Sequence, residues 1–244
     1  MSTNWKILAV RLLVTVLILS GIASATTITF VTPSGSATTG GSVNASAVFV
    51  TGPGTLTVTL SDLLGNPTNV GELLSNIQFA LSSSLNGSAS MSSSATERTV
   101  NHDNSFTEGS TVSTGWAAQA SGGGGGIIIC MICPNNGTPA ASNPPSHLII
   151  GAGPYTNANG SITGNGPHNA FLDETATFTI SDSAITSATV ASNVVFGFGT
   201  QFGSQVNATQ QVSASAMPEN RTMLLIGTGL ILIGSFRRLV KTQL

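Results

Sequence analysis

Apolar and polar residues alternate along much of the chain with a period of two. In the run "TLTVTL" (55–60), Leu56, Val58 and Leu60 share one face and threonines occupy the other. Such alternation predicts a half-buried β-strand. The same pattern recurs in four further runs, which are 27–32, 42–50, 176–180 and 193–200. Because turn-forming Gly, Pro, Asn and Ser separate these runs, the pattern predicts an all-β domain folded as an antiparallel β-sandwich.

One segment departs from this period. Val70, Leu73, Leu74 and Ile77 have the i, i+3, i+4, i+7 spacing of a helix. Asn69 precedes them and Glu72 follows it by three residues, as in a capping box. We therefore expect one short helix at 69–76, with Glu72 as a capping residue.

Two stretches lack the bulky residues of a strand. Residues 82–97 are rich in serine, and residues 121–126 read "SGGGGG". Their composition predicts loops or flexible connectors, and for residues 82–97 either an exposed hairpin or a flexible insertion.

The N-terminus has the order of a secretory signal peptide. Lys6 and Arg11 precede the apolar run 12–19, and the small residues Ala23 and Ala25 follow it. The sequence therefore predicts a signal peptide at 1–25 and export of the remaining chain.

The C-terminus carries a second apolar run. Residues 222–236 contain no charge, and Arg237, Arg238 and Lys241 follow them. A helix of this length spans about 22 Å, which is short for a hydrocarbon core of about 30 Å. The basic cluster would lie in the cytoplasm, where positive charge accumulates. We expect a transmembrane segment within 217–244 and an extracellular domain at 26–216.

This tail resembles the PEP-CTERM sorting signal of exported bacterial proteins. Pro218 and Glu219, the short run containing "LLIGTGL" and the following "FRR" match its order, whereas Asn220 stands at the position of the second motif proline. The resemblance implies an exosortase partner, a membrane anchor through the C-terminal helix, and later release or attachment at the cell surface. It also implies association with biofilm or exopolysaccharide. A plain single-pass anchor is the alternative reading of this tail.

Charge is distributed unevenly along the chain. Of 244 residues, 41% are hydrophobic, which is enough for a packed core. Between residues 26 and 216, Arg98 is the only lysine or arginine, and the same range contains eight acidic residues. A domain with one such base cannot neutralise several phosphates, so nucleic-acid binding is excluded.

Residues with candidate chemistry are few. Cys130 and Cys133 form the only CxxC motif; an exported location favours a disulfide, with two buried thiols or a metal or redox pair as alternatives. His147 and His168 flank an Asn/Gly-rich segment, and with Asp173 and Glu174 they could bind a metal or support acid–base chemistry. Each histidine also lies close to a proline. Local hydrogen bonding is the simplest reading of both histidines. The sequence thus predicts no catalytic residue, no metal site and no cofactor.

Three classes of function fit these features. A structural protein of the cell surface or extracellular matrix, and not an enzyme, agrees best with the targeting segments. A carbohydrate-binding module is the first alternative, and exposure of Trp116 and Tyr155 on one face would favour it. An extracellular hydrolase is the second, and clustering of His147, His168 and Asp173 would favour it.

The signal peptide generates the first testable prediction. We expect cleavage between Ala25 and Thr26, because small residues follow the apolar run there. N-terminal sequencing of the exported protein should begin at Thr26. A mature chain that begins at Met1 would contradict this prediction.

Overall fold

The computed structural model describes residues 25–86, 89–121, 126–134, 145–164 and 168–211, and these residues form a mostly β structure. The predicted all-β character is confirmed. The rest of the predicted signal peptide, residues 1–24, and the predicted sorting segment 217–244 lie outside the described ranges. Within these ranges, no helix has the length and apolar character that a membrane crossing requires.

The described chain contains fifteen strands. In chain order they are β1 (Thr26–Val31), β2 (Ala37–Thr38), β3 (Gly41–Ser42), β4 (Ala45–Gly52), β5 (Thr55–Asp62), β6 (Leu74–Leu81), β7 (Ser90–Val100), β8 (Phe106–Val112), β9 (Ala117–Ser121), β10 (Gly126–Cys130), β11 (Ile149–Ile150), β12 (Phe171–Ser181), β13 (Ala191–Phe198), β14 (Gln205–Asn207) and β15 (Thr209–Gln211).

Thirteen of these strands belong to one sheet that is not closed, and β2 and β3 form a separate pair. The sheet has two antiparallel arms. The first arm has the order β8-β7-β12-β5-β4-β1-β15, and the second has the order β9-β10-β6-β13-β14. The short strand β11 links the arms, because it pairs with both β12 and β6.

The pairing of β11 with β12 corrects one part of the expected fold. Ile149 and Ile150 run parallel to Leu172 and Asp173, so the sheet is mixed and not purely antiparallel. Parallel neighbours need a long connection between them. No local sequence signal marks such a pair, because its partners come from distant parts of the chain.

The predicted alternation corresponds to the two faces of the strands. Every second residue of β5 is buried, beginning with Leu56, and β4 has the same pattern from Ala45 onward. The two strands are aligned so that Phe49 lies opposite Val58. Their apolar faces therefore point to the same side of the sheet.

Phe49 contacts residues from both arms. Its ring lies 5.6 Å from that of Phe30 on β1 and 5.0 Å from that of Phe79 on β6, both in edge-to-face geometry. β4 and β6 belong to different arms, yet these side chains share one buried apolar cluster. Both arms therefore pack on a common core.

The predicted helix at 69–76 is wrong in extent. Only Val70–Glu72 form a single 3-10 turn, and β6 begins at Leu74. The expected capping box is present: the Asn69 side chain accepts from the amide of Gly71, and Glu72 accepts from the amide of Asn69. The first four residues of β6 are all buried, so the alternation of apolar and polar residues that marks a strand is absent at its start.

The serine-rich stretch 82–97 also differs from expectation. Its second half belongs to β7, an eleven-residue strand that pairs with β12 and β8. Serine is a weak strand former, so its strand conformation here depends on the neighbouring strands. This matters because β7 carries Arg98.

Truncation of Phe49 tests the shared core. Phe49 is 1% exposed and contacts both arms, so Phe49→Ala should lower the free energy of unfolding by about 3–5 kcal/mol. Urea denaturation provides the measurement. Leu63→Ala is the matched control: Leu63 is 50% exposed, and its truncation should change stability by about 0.5 kcal/mol or less. Equal effects of the two substitutions would contradict the shared core.

Candidate functional site

The most concentrated group of charges in the described chain surrounds Arg98 on β7. In the strand register, Arg98 lies opposite Glu108 of β8 on one side and Phe171 of β12 on the other. A bulge in β12 between Leu172 and Ala176 brings Asp173 and Glu174 towards the same guanidinium. The cluster therefore depends on the register of three adjacent strands.

The Arg98 guanidinium is surrounded by oxygen atoms. Nε and Nη2 donate to Glu108 Oε1 at 2.9 and 2.7 Å, and Nη1 donates to Tyr155 Oη at 2.8 Å. Both Nη atoms lie 3.4 Å from Glu174 Oε1. Asp173 Oδ1 forms an ion pair with Nη2 but has no aligned hydrogen bond. Three carboxylates thus share one cation.

Aromatic rings complete the environment of the guanidinium. Arg98 Cζ lies 4.4 Å from the centre of the Phe106 ring, within cation–π distance. The Phe106 ring in turn packs edge-to-face on Tyr155, with centroids 5.6 Å apart. The Tyr155 hydroxyl accepts from Arg98 and donates to the carbonyl of Gly151 at 2.8 Å. The cluster therefore connects β7 and β8 to the segment that contains Gly151 and Tyr155.

Burial and charge shift the pKa values of this cluster in different directions. Burial by itself lowers the pKa of Arg98, but hydrogen bonds with Glu108 and Tyr155 outweigh it and raise that pKa above its ordinary value. Burial raises the pKa of Tyr155 to about 12, although Arg98 opposes the shift. Burial also raises the pKa of Asp173 to about 6; Arg98 opposes this shift, and the nearby Glu108 and Glu174 add to it.

The geometry of the cluster favours a bracing role over a chemical one. The Arg98 side chain is 5% exposed and occupies the space between the carboxylates, where a cation ligand would otherwise sit. In the described ranges, no group of three or more His, Cys, Asp or Glu side chains is arranged to hold a metal ion. The cluster joins β7, β8, β12 and the segment that contains Tyr155 around one buried and neutralised charge.

His147 lies on a different network from Arg98. Its Nδ1 is 3.0 Å from the carbonyl oxygen of Thr114, and its Nε2 is 3.0 Å from Glu97 Oε1. A carbonyl oxygen can only accept, so Nδ1 is the donor in the bond to Thr114. The backbone carbonyl of His147 accepts from the indole nitrogen of Trp116 at 2.8 Å.

His168 is 8% exposed, and its Nδ1 donates to the carbonyl of Pro145 at 2.7 Å. The structure records no hydrogen bond between either histidine and Asp173, which lies beside Arg98. The grouping of His147, His168 and Asp173 that would favour a hydrolase is therefore not formed. Glu174 likewise belongs to the Arg98 cluster.

The two aromatic residues considered for sugar binding are both buried. Trp116 is 5% exposed and packs on Phe178, with ring centroids 5.2 Å apart. Tyr155 is fully buried and hydrogen-bonded to Arg98. Neither ring presents a face to solvent, so these two residues do not form a sugar-stacking platform.

Cys130 and Cys133 are joined by a disulfide at the end of β10, with their Cα atoms 5.2 Å apart. Both are buried and form a small apolar cluster with Ile128, against which Ala117 and Phe202 pack. The bond closes a short loop at the end of β10 and does not link this strand to another strand.

All but one of the remaining predicted site residues lie outside the described ranges. Ala23 and the predicted sorting residues lie outside the described ranges, and these are Pro218, Glu219, Arg237, Arg238 and Lys241. Ala25, the second small residue of the predicted cleavage site, begins the described chain.

Sequence reasoning missed the partners of Arg98. A signal was present, because a lone base among eight acids in a β domain will be neutralised if it is buried. Its three carboxylates and Tyr155 come from distant positions, however, and only the β12 bulge and the β8 register bring them together.

Asp62 is a second buried acid with a shifted pKa. It ends β5, is 2% exposed, and accepts from the amide of Leu64 at 3.0 Å, while its Oδ2 has no partner among the described residues. Burial raises its pKa well above the ordinary value despite nearby backbone donors. Asp62 lies beside Gly151, where an added side chain would collide with the carbonyl of Leu64.

No protein-family model matches the chain, and neither a curated protein nor a solved structure is significantly similar to it.

Replacement of Arg98 tests the bracing role. Arg98→Met should lower the free energy of unfolding by about 3–5 kcal/mol, because it leaves Asp173 and Tyr155 without their buried partner. Arg98→Lys should keep little of this stability, since a lysine ammonium group cannot reproduce the planar set of donors of the guanidinium. Chemical denaturation gives both values. Asp103→Asn is the control: Asp103 is an exposed acid outside the cluster, and its replacement should change the free energy of unfolding by about 0.5 kcal/mol or less. Wild-type stability of Arg98→Met would contradict the bracing role.

The raised pKa of Asp173 predicts a specific pH dependence. The ordinary value is 3.8 and the folded value is about 6, so between these values the folded protein holds a proton that the unfolded chain releases. By linkage, this contribution to stability is complete below pH 3.8 and is lost as pH rises through about 6. Asp173→Asn should remove it.

The measurement is urea denaturation of wild type and Asp173→Asn at several pH values from 4 to 8. Subtracting the two curves cancels the contributions that both proteins share, including that of Asp62. The wild-type protein should lose stability relative to the variant as pH rises across this range. A difference that does not change with pH would show that Asp173 titrates normally in the folded protein.

Proposed function

We propose that this protein is an exported structural protein of the bacterial cell surface or extracellular matrix, sorted by its C-terminal segment. The observation that carries the proposal is the pair of targeting segments at its two ends. A charged, apolar and small-residue order opens the chain, and Pro218-Glu219, a short apolar run and a basic cluster close it. Both segments would place residues 26–216 outside the cytoplasm.

An exosortase is the partner that this tail implies. The apolar run is marginal as a permanent anchor, because it is shorter than the hydrocarbon core. Arg237 and Arg238 would stop its translocation, since moving a guanidinium into hydrocarbon is costly. The protein would first be held in the membrane by this segment, and cleavage near Pro218-Glu219 would then release it or transfer it to the surface.

The described domain supports a structural role. Arg98, His147, Trp116 and Tyr155 all have internal partners, so the residues that might bind a ligand instead hold strands together. We further propose that the two arms stack as a β-sandwich, because Phe49 and Phe79 join them in one core.

The residues that suggested the two alternative functions are buried or bonded to other groups in the structure. A carbohydrate-binding module would need exposed aromatic faces, but Trp116 and Tyr155 are buried. The grouping of His147 with Asp173 that would favour a hydrolase is absent from the described residues, because His147 bonds to Glu97 and Asp173 lies against Arg98. A loose association with exopolysaccharide, through exposed serine and threonine hydroxyls, is compatible with the structural proposal.

Substitutions in the tail test this function. Glu219→Ala should leave membrane insertion intact but block the cut, so that uncut protein accumulates in the membrane fraction. Replacing Arg237 and Arg238 with Ala should weaken retention before the cut, because no charge then stops translocation. Asn220→Pro is the matched control, since it completes the family motif and should speed processing.

Cell fractionation and mass spectrometry of the C-terminal peptide measure these effects. The wild-type surface protein should end close to Pro218. Mature protein that still ends at Leu244, in cells with an active exosortase, would show that the tail is a plain membrane anchor and is not cut.

A further inference from the structure

Asn159 and Gly160 lie in an exposed turn of the segment between Tyr155 and β12. Both residues are exposed, and a side chain built on Gly160 would meet no atom within 4 Å. An asparagine side chain can react with the backbone nitrogen of the next residue, and glycine leaves that nitrogen unshielded because it has no Cβ. The turn therefore brings together both reacting groups and gives water access to them.

Two donors point at the side-chain oxygen of Asn159. Its Oδ1 accepts from the amide of Ser161 at 2.8 Å and from Ser161 Oγ at 2.6 Å. The Ser161 hydroxyl is itself held in place, since its oxygen accepts from the amide of Val70 at 3.0 Å. Donors placed in this way stabilise the negative charge that develops on a carbonyl oxygen when a nucleophile attacks its carbon atom.

The hydrogen bond from the Ser161 amide also positions the nucleophile. It closes an Asx turn, in which the asparagine side chain folds back over the next peptide group. The nitrogen of that peptide group belongs to Gly160, and among the described residues no hydrogen bond from it is recorded. Its proton is therefore free to leave.

The main chain of Asn159 is fixed on both sides of this turn. Its amide donates to the carbonyl of Thr68 at 2.8 Å, and its carbonyl accepts from the amide of Ile162 at 3.0 Å. A fixed geometry lowers the entropic cost of bringing two reacting groups together. The folded chain thus supplies both orientation and charge stabilisation for attack on the Asn159 side chain.

We propose that Asn159 is a site of self-catalysed deamidation in the folded protein. The Gly160 nitrogen loses its proton to water and forms a bond to Asn159 Cγ, and the Cγ–Nδ2 bond then breaks and releases ammonia. One water molecule opens the resulting cyclic imide at either of its two carbonyl groups. Asparagine and water are thus converted into ammonia and either aspartate or isoaspartate at position 159, without an oxidant, a reductant or a second protein.

The products differ from asparagine in charge and in backbone. Both add one negative charge to the turn, and isoaspartate also adds a carbon atom to the main chain. The added atom displaces the carbonyl that accepts from Ile162, so it should loosen the segment that begins at Tyr155. Because the released ammonia is lost, the converted fraction increases with the age of the molecule. This reaction is a property of the domain and does not depend on the proposed export.

Peptide mass spectrometry of the full chain, isolated from expressing cells, tests the proposal. Chymotrypsin cuts after Tyr155 and Phe171, so one peptide contains both Asn159–Gly160 and Asn165–Gly166. The protein is incubated at neutral pH either folded or unfolded in urea, and fragmentation of the peptide gives the converted fraction at each asparagine. Conversion of Asn165 in urea provides the rate of an unfolded Asn–Gly pair.

We expect Asn159 to convert at least about threefold faster in the folded protein than in urea, which is within the range that one hydrogen bond contributes. The reason is that the two Ser161 donors are in place only in the folded chain. Conversion in the folded protein that is equal to or slower than conversion in urea would overturn the proposal.

Variants of Ser161 test the role of its hydroxyl. Ser161→Ala removes one of the two donors, so conversion of Asn159 in the folded protein should slow by about threefold to tenfold, with no change in urea. Ser161→Thr keeps the hydroxyl and should keep the wild-type rate. Thr156→Ala is the matched control, because Thr156 lies in the same segment but bonds to Asn66. Equal rates for folded Ser161→Ala and folded Thr156→Ala would contradict the proposal. If Ser161→Ala does not fold, the comparison of folded and unfolded wild type decides alone.

Discussion

The burial of one guanidinium is the constraint around which this side of the domain is organised. A buried charge without partners is strongly unfavourable, and Arg98 is the only lysine or arginine between residues 26 and 216. Three carboxylates and the Tyr155 hydroxyl surround it, and they come from β8, from the bulge in β12 and from the segment after β11. Neutralising this single charge therefore fixes the register of the β7–β8 edge and the position of that segment.

The local alternation of apolar and polar residues was sufficient to predict the strands that have one buried and one exposed face. β4 and β5 alternate cleanly, so Phe49 and Leu56 were assigned to the core from sequence, and the Asn69–Glu72 capping box was also recognised. Only the start of β6, residues 74–76, was wrongly predicted as helix, because the first four residues of this strand are all buried and do not alternate. The Arg98 cluster could not be predicted, since it depends on strand registers and a bulge that no local pattern encodes.

Other polar side chains that could carry a function also form their hydrogen bonds inside the domain. The imidazole of His147 bonds to Glu97 and Thr114, Trp116 donates to a backbone carbonyl, and Tyr155 is enclosed. A fold alone implies no function, and here the side chains that usually carry chemistry are engaged in holding strands together. The proposal of an exported structural protein agrees with this use of the interior side chains and with the predicted targeting segments at the two ends.

The most direct test of the bracing account is the exchange rate of the Arg98 Nε proton, followed by NMR in ¹⁵N-labelled protein with Arg98→Lys as the assignment control. The account predicts a proton that exchanges far more slowly than that of free arginine, because Nε donates to Glu108 at 2.9 Å and the side chain is 5% exposed. A proton that exchanges as fast as in free arginine would show that the guanidinium is open to solvent, and would contradict the account.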